Sequence, residues 1–418
     1  MKARLLLSIL LCSLPFQVSA ARDWPRHFRD ENRALLTEAR QLRQRLHRIP
    51  ETCNCERQTA EVVAATLRGL GLEVTTGIAG TGIKAVLRGG RSGPVIGLRA
   101  DMDALPITEA TGLPFASQNQ GTMHACGHDV HMTNVLIAAK MLTAVRRELP
   151  GTVVFLFQPC EEGSTRGEVS GAAALIAAGA LENPKIERMI GLHVMPDLPT
   201  GTVGLRAGPL MASVATVRIH LIGQSSHGAL PHQGKDAIHA AAQAIVQFQP
   251  IISRIKDPGE KALITIGTIQ GGVRQNVLAG EAVMTGTVRT FSDAVQDMIE
   301  QEMERVLQGI EWVYGVKHEF AFIRDCRFVK NDPGLVRRLT PVFQKILGPE
   351  RVVEVAPSTV SEDFALYSHR LPSLFFFLGT GQGGNPPPLH SPQFAPDENA
   401  LAIAPALLAA AAADCLAR

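Results

Sequence analysis

Between residues 27 and 49 apolar side chains recur three, four or seven apart, at Phe28, Leu35, Leu42, Leu46 and Ile49, and the run stops at Pro50. That spacing lines one face of a helix, and proline ends it. A second helix is predicted over "ERQTAEVVAATLRGLG", with Gly71 where a left-handed cap is wanted. The pattern then shortens. "IKAVLR" and "VIGLRA" are apolar runs of strand length, followed by a predicted helix over 130–149, strand "TVVFLFQ", helix 171–180 and strand "RMIGLHV". Strands alternating with helices predict an α/β fold, a mostly parallel sheet with helices on both faces.

From about residue 212 the period becomes two. "ATVRIHLIG" and "EAVMTGTVRT" alternate as antiparallel strands with one open face do, and helices are predicted over 235–255 and 293–310. Two strand–helix–strand units here predict a smaller α+β domain with a four-stranded antiparallel sheet. The first texture resumes with helix 333–347, strand "SLFFFLG" and helix 397–414. The expected plan is one α/β domain (21–211 and 323–418) interrupted by a smaller domain (212–322). No internal repeat or low-complexity segment is visible.

Residues 1–20 are read apart from the fold. Lys2 and Arg4, the apolar Leu5–Leu14 and "VSA" before Ala21 form the pattern of a cleaved secretory signal, too short to hold in a bilayer. An exported protein, periplasmic rather than anchored, is therefore expected. The apolar C-terminal run carries Pro405 and reads as a packed terminal helix, so no membrane partner is expected. Without Lys2 and Arg4 the basic and acidic side chains balance at 39 each, which gives no reason to expect nucleic acid. The six cysteines beyond the leader are too sparse to be a disulfide framework. Cys53 and Cys55, in "ETCNCE", are open to pairing, to metal or to oxidation in a loop.

The stretch "MHACGHDVH" (123–131) concentrates histidine, cysteine and aspartate. As a cysteine hydrolase it would need Cys126 beside a basic histidine, and the rest of the chain would stay unexplained. As a metal site it gains partners. "QPCEEG" places Glu161 and Glu162 at a strand end, where open parallel sheets hold ligands and where two carboxylates repel unless a cation lies between them. His193 ends another strand and His390 sits in "PPPLHSPQF". Cys126, His128, one of the two glutamates, His193 and His390 suffice for two metal ions if one ligand bridges, with the second glutamate spare as a general base. Thiolate and imidazole favour Zn, Co, Ni or Mn over Mg or Ca.

"LRADMDALP", "MHACGHDVH", "QPCEEG", "GLHV", "SSHGALPH", "GGVRQNV", "GTVRTF", "SEDFALY" and "LHSPQF" occur in the order of the metal-dependent amidohydrolases that include hippurate hydrolase, N-acyl-amino-acid aminoacylases and auxin–amino-acid conjugate hydrolases. The chain resembles that family over nearly its whole mature length. The resemblance implies two divalent ions held by Cys126 (bridging), His128, Glu162, His193 and His390, with Glu161 as general base. It implies a lid or dimerisation domain carrying His227, a donor to the oxyanion that often reaches across from the other subunit, with Asn276 and Arg289 as substrate donors. A homodimer through the lid follows from the same likeness. His124 and His131 receive no ligand role, and Asp101 and Asp103 are expected to support the site from behind. Two departures stand out: "PETCNCERQ" where apolar and acidic residues are usual, and Cys160 where alanine is usual. The first predicts altered specificity, the second a site sensitive to oxidation.

The expected function is hydrolysis of an N-acyl (N-acetyl or N-aroyl) amino acid to a carboxylic acid and a free amino acid. A dipeptidase or carboxypeptidase with the same site would differ only in the acyl half. A cysteine hydrolase would survive chelation, and a metal- or solute-binding protein would load metal without turnover.

Overall fold

The computed structural model describes residues 22–163 and 169–417, so the expected signal segment lies outside the described residues. The chain opens with α1 (Trp24–His47) and α2 (Arg57–Gly69), then β1 (Glu73–Ile78), β2 (Gly82–Arg88) and β3 (Arg91–Asp101). Next come α3 (His128–Ala144), β4 (Pro150–Gln158), α4 (Gly171–Ala177), β5 (Arg188–Pro199) and the short β6 (Val203–Leu205) and β7 (Gly208–Met211). The second texture is β8 (Ser213–Ile222), α5 (Ala237–Pro250), β9 (Ala262–Gly271), β10 (Glu281–Thr290), α6 (Asp293–Tyr314) and β11 (Lys317–Cys326). The chain returns through β12 (Val329–Asn331), α7 (Pro333–Leu347), β13 (Val352–Glu354), α8 (Ala365–Ser368), β14 (Ser373–Gly381) and α9 (Ala404–Leu416).

Eight strands form the large sheet in the order β1-β2-β4-β3-β5-β14-β6-β13. Its centre, β4-β3-β5-β14, is parallel, while β1 and β2 run antiparallel to their neighbours, as does β6 to β14. The continuous apolar reading of the central strands has its reason in two cores. Along β4, Val153, Phe155 and Phe157 face α3 and α9, in a core that α1 and α7 complete. Val154 and Leu156 between them face a second cluster with Leu175 of α4 and Tyr367 of α8. Each fully buried side chain of this size contributes about 2 kcal/mol in transfer terms. Helix α9 is buried on every side against α1, α3 and α7. Among the described residues it belongs to the one stretch long and apolar enough to cross a membrane, and here it is core. The helix expected from residue 397 begins as a 3₁₀ turn, Glu398–Ala402, and Pro405 sits in the first turn of α9, where its missing N–H is not needed.

The four-stranded sheet is antiparallel throughout, in the order β11-β8-β10-β9. Along β8, Ala215, Val217, Ile219 and Leu221 are buried in turn beneath α5 and α6, which leaves the opposite face without helices. Its end nearest Thr290 approaches the large sheet.

Candidate metal centre

The strand order creates the site. β3 leads through α3 to β4 on one side, and β4 leads through α4 to β5 on the other, so the chain diverges at the carboxyl ends of adjacent strands. Crevices of that kind are where open α/β sheets bind ligands. Asp101 ends β3, Glu161 and Glu162 follow β4, and His193 lies on β5. Cys126 and His128 flank Gly127, the residue before α3, at φ +83°. A Cβ there would come within 2.5 Å of the Val194 side chain, so only glycine allows this turn. His390 arrives from the loop after β14, its backbone N–H donating to the Ala125 carbonyl at 2.9 Å.

These segments converge on Cys126. Its Sγ lies 3.3 Å from His193 Nε2 and 3.4 Å from His390 Nε2. His390 Nε2 is 3.3 Å from Glu162 Oε1, and His128 Nε2 is 3.8 Å from Glu162 Oε1 and 3.9 Å from Glu161 Oε2. Two compact triads result, Cys126–His128–His193 and Cys126–Glu162–His390, with Cys126 common to both. The structure brings together every residue the sequence named as a ligand, and Glu161 stands beside them.

Do these side chains suit cations? The imidazoles are oriented for it. His128 gives its Nδ1 side to the Asp103 carbonyl at 2.8 Å and His193 to the Val194 carbonyl at 2.7 Å, so both turn Nε2 inward. Metal-binding histidines are fixed in this way. His128 Nε2 and Glu162 Oε1 are buried polar atoms without a hydrogen-bond partner. Burial, with Glu162 and Glu161 close by, drives the Cys126 thiol well above its ordinary range. Burial, reinforced by Glu362, Glu162 and Asp363, raises the Glu161 carboxyl in the same manner. Burial opposes charge on His128, but Asp101 and Asp103 outweigh it and lift the imidazole to about 10. His193, buried and beside His131, falls to about 3. Soft and hard anionic donors pressed together, with orphaned atoms aimed inward, are the donor set a pair of divalent ions takes.

Behind this shell Asp101 Oδ1 accepts from His131 Nδ1 at 2.7 Å, while His131 Nε2 accepts the Val194 N–H at 3.0 Å. Both nitrogens of His131 are thus engaged within the protein. Asp103 Oδ2 accepts the Glu162 N–H at 3.0 Å. His124 is buried with neither nitrogen bonded. Sequence reading missed Arg99. Its buried guanidinium donates to Asp101 at 2.8 Å, Glu362 at 2.9 Å, Asp363 at 3.0 Å and Gln158 at 3.0 Å. The available signal was a charge inside the apolar run "VIGLRA", which demands partners. Nor is Cys160 a free thiol open to oxidation. It forms a disulfide with Cys53, so the expectation of an oxidisable cysteine at this position is corrected.

A cleft of about 670 Å³ opens from the cluster toward the smaller sheet. Its far wall is one transverse row of that sheet: Leu263, Arg289, Val214 and Cys326 are register partners across β9, β10, β8 and β11. Asp325 also faces the cleft, from the register shift between Arg324 and Cys326. Arg289 donates to the Thr359 carbonyl at 2.9 Å, linking the smaller sheet to the loop between β13 and α8. His227 and Asn276 are not brought to it. They lie together on an exposed loop pair, where the Gly228 N–H donates to the Asn276 carbonyl at 2.8 Å and His227 Nδ1 accepts from the Ala229 N–H at 3.1 Å.

Comparison with known proteins agrees with this geometry. The family described as peptidase family M20/M25/M40 matches residues 97–414. An N-acetyl-L-cysteine deacetylase of Bacillus subtilis is 38% identical over 360 residues, 86% of this chain and 84% of that one. A thermostable carboxypeptidase of Saccharolobus solfataricus is 35% identical over 376 residues, 88% and 94% of the respective chains. The crystal structure of a dinuclear metal-binding peptidase of the M20 family from Bacillus subtilis superposes with a TM-score of 0.81 at 36% identity, covering 92% of this chain and 99% of that one.

Proposed function

The chain belongs to peptidase family M20/M25/M40, and from that premise we propose that it hydrolyses N-acyl amino acids, N-acetyl or N-aroyl, to a carboxylic acid and a free amino acid. The observation that carries the reading is the pair of triads sharing Cys126, with Glu161 beside them and Arg289 across the cleft. Cys126, His128, Glu162, His193 and His390 would hold two divalent ions drawn from Mn, Zn, Co and Ni. Bound there, such ions polarise the amide carbonyl and make water a better nucleophile.

The chain's own groups do the rest. Glu161, at the rim of the triads and 9% exposed, takes a proton from the attacking water and returns it to the leaving nitrogen. Arg289, half-buried on the opposite wall, grips the carboxylate of the amino-acid half. His227 and Asn276 stand outside their own cleft, which supports a homodimer in which a second copy supplies His227 to the developing oxyanion. The exposed edge strand β9 is a surface on which the lids can pair. Export to the periplasm has two supports, the leader pattern of residues 1–20 and the Cys53–Cys160 disulfide, a bond that persists in oxidising compartments.

The test is release of free amino acid from N-acetyl amino acids, N-benzoylglycine and dipeptides. It uses chelator-stripped protein before and after each of the four metals, with Glu161→Gln alongside. Metal-restored release from the N-acyl compounds, lost in the glutamine variant, is the expected result. Activity confined to dipeptides would move the assignment to a peptidase, the kind of reaction named for the carboxypeptidase relative. Two bound metals with no turnover on any compound would sink the function.

A further inference from the structure

The two places where the sequence departs from its family, "PETCNCERQ" and Cys160, turn out to be the two ends of one bond, Cys53–Cys160. Cys160 immediately precedes Glu161. Its backbone is at φ +51°, a conformation an L residue seldom keeps unless it is held. It is held on every side. Its N–H donates to Glu56 Oε1 at 3.0 Å, its carbonyl accepts the Gly171 N–H at 2.9 Å, and its sulfur is bonded to Cys53. Glu56, wholly buried, also accepts the Asn54 N–H at 3.0 Å and the Thr81 hydroxyl at 2.6 Å. One carboxylate and one disulfide thus fasten the loop after α1 to the residue that aims Glu161. Among the described residues the Glu161 side chain accepts one hydrogen bond, a long one at 3.4 Å from the Asp363 N–H. Its direction is therefore inherited from the backbone at Cys160.

We propose that the Cys53–Cys160 disulfide is a positioning element for Glu161, and that a thiol reductant which opens it slows turnover by letting that carboxylate drift. The inference rests on Glu161 as the proton carrier. Cys160 is fully buried and Cys53 only partly, so a reductant's thiolate attacks Cys53 Sγ. The S–S bond breaks, a mixed disulfide forms on Cys53, and Cys160 leaves as a thiolate that takes a proton. The second thiol of a dithiol then displaces the mixed disulfide. Two electrons and two protons pass to the protein, and the reductant becomes a cyclic disulfide. Exposed Cys55, two residues from Cys53, is a second thiol able to exchange onto it. Displacements of about 1 Å in a reacting group are enough to cost up to about 100-fold in rate.

The experiment compares kcat, KM and metal content of the metal-loaded Cys55→Ser enzyme in three states: oxidised, reduced with a dithiol, and reoxidised after the reductant is removed. Cys55→Ser itself is expected to turn over as the wild type does. Cys53→Ser and Glu161→Gln are assayed in parallel, with a thermal melt on each. The expected result is a fall in kcat of about tenfold or more on reduction, with KM and metal content unchanged and recovery on reoxidation. Folded Cys53→Ser should be slow in both states, which separates opening of the bond from any chelation by the dithiol. Reduced enzyme with undiminished kcat, or a Cys53→Ser variant as fast as wild type, overturns the proposal. So does a fall in kcat that tracks metal loss. If Glu161→Gln keeps full activity, the general-base assignment fails instead. If that variant is dead while reduction has no effect, only the positioning role is refuted.

Discussion

Raising the pH from about 6 to about 9.5 is expected to weaken the junction of α1 and α3 through one side chain, His47. It is the last residue of α1, buried, with Nδ1 2.9 Å from Asp129 Oδ2 and Nε2 3.3 Å from Glu109 Oε1. Asp129 is also gripped by Arg43 Nε at 3.0 Å and lies in the first turn of α3, next to His128. Burial disfavours the imidazolium, but the Asp129 carboxylate and its hydrogen bond, helped by Glu109, outweigh burial and raise His47 from 6.5 to about 9. A group whose proton is held more tightly in the folded protein stabilises it fully below the unfolded pKa. That contribution declines as pH climbs and is gone above the folded pKa. At about 1.4 kcal/mol per pH unit, the interval from 6.5 to about 9 amounts to roughly 3 kcal/mol, a substantial share of the ~5–15 kcal/mol that holds a typical domain together. The assay is urea unfolding of metal-stripped protein with EDTA present, at about pH 6, 7.5 and 9.5, for the wild type and His47→Gln. The stability difference between the two should shrink by about 3 kcal/mol from the lowest to the highest pH. A difference that stays constant, or widens with pH, refutes the reasoning.

Cys126→Ala should reduce the metal content from two ions to at most one per chain and abolish turnover, because both triads lose the same member; two ions retained in elemental analysis would end the bridging role. Asp101→Asn should weaken metal binding about 10- to 100-fold in chelator competition, by loosening His131 and Arg99 behind the ligands. An unchanged affinity would show that the brace is unnecessary. Arg289→Ala should raise KM about tenfold or more, with kcat much less affected, and lysine should restore only part of the loss because it lacks the planar two-pronged donor. An unchanged KM would remove Arg289 from the substrate.

How far the sequence reveals this architecture depends on what each residue answers to. Central strands such as "TVVFLFQ" and "SLFFFLG" are legible because burial on both faces leaves polar residues only at their ends, and β8 and β10 because a single covered face forces alternation. The pieces that escaped are short or lie away from the centre of the large sheet, as β1, β6, β12 and β13 do. Three-residue strands carry no period, and an edge strand is half solvated. The proposed ligands stand out because histidine and paired carboxylates at strand ends are costly without a purpose. The partner of Cys53 was not visible. Pairing across 107 residues is decided by which loops the fold brings together, and no local pattern encodes that. Arg99 stood in plain view inside a strand, but its partners Glu362 and Asp363 lie far along the chain. His227 and Asn276 show the opposite limit. Their motif is clear, yet the fold of one chain leaves them outside the cleft.

The span from Cys126 to His390, 264 residues bridged by one close contact, has a meaning in time as well as in space. A chain made from its N-terminus has four of the five proposed ligands and the whole of the smaller sheet before β14 and the His390 loop are added. β14 then enters between β5 and β6, not at an edge, so the large sheet keeps a slot open for its last long strand. A complete set of ligands thus certifies a nearly finished fold. On the proposed assignment, growing or damaged chains able to capture a full pair of ions would be the ones in which that slot has been filled.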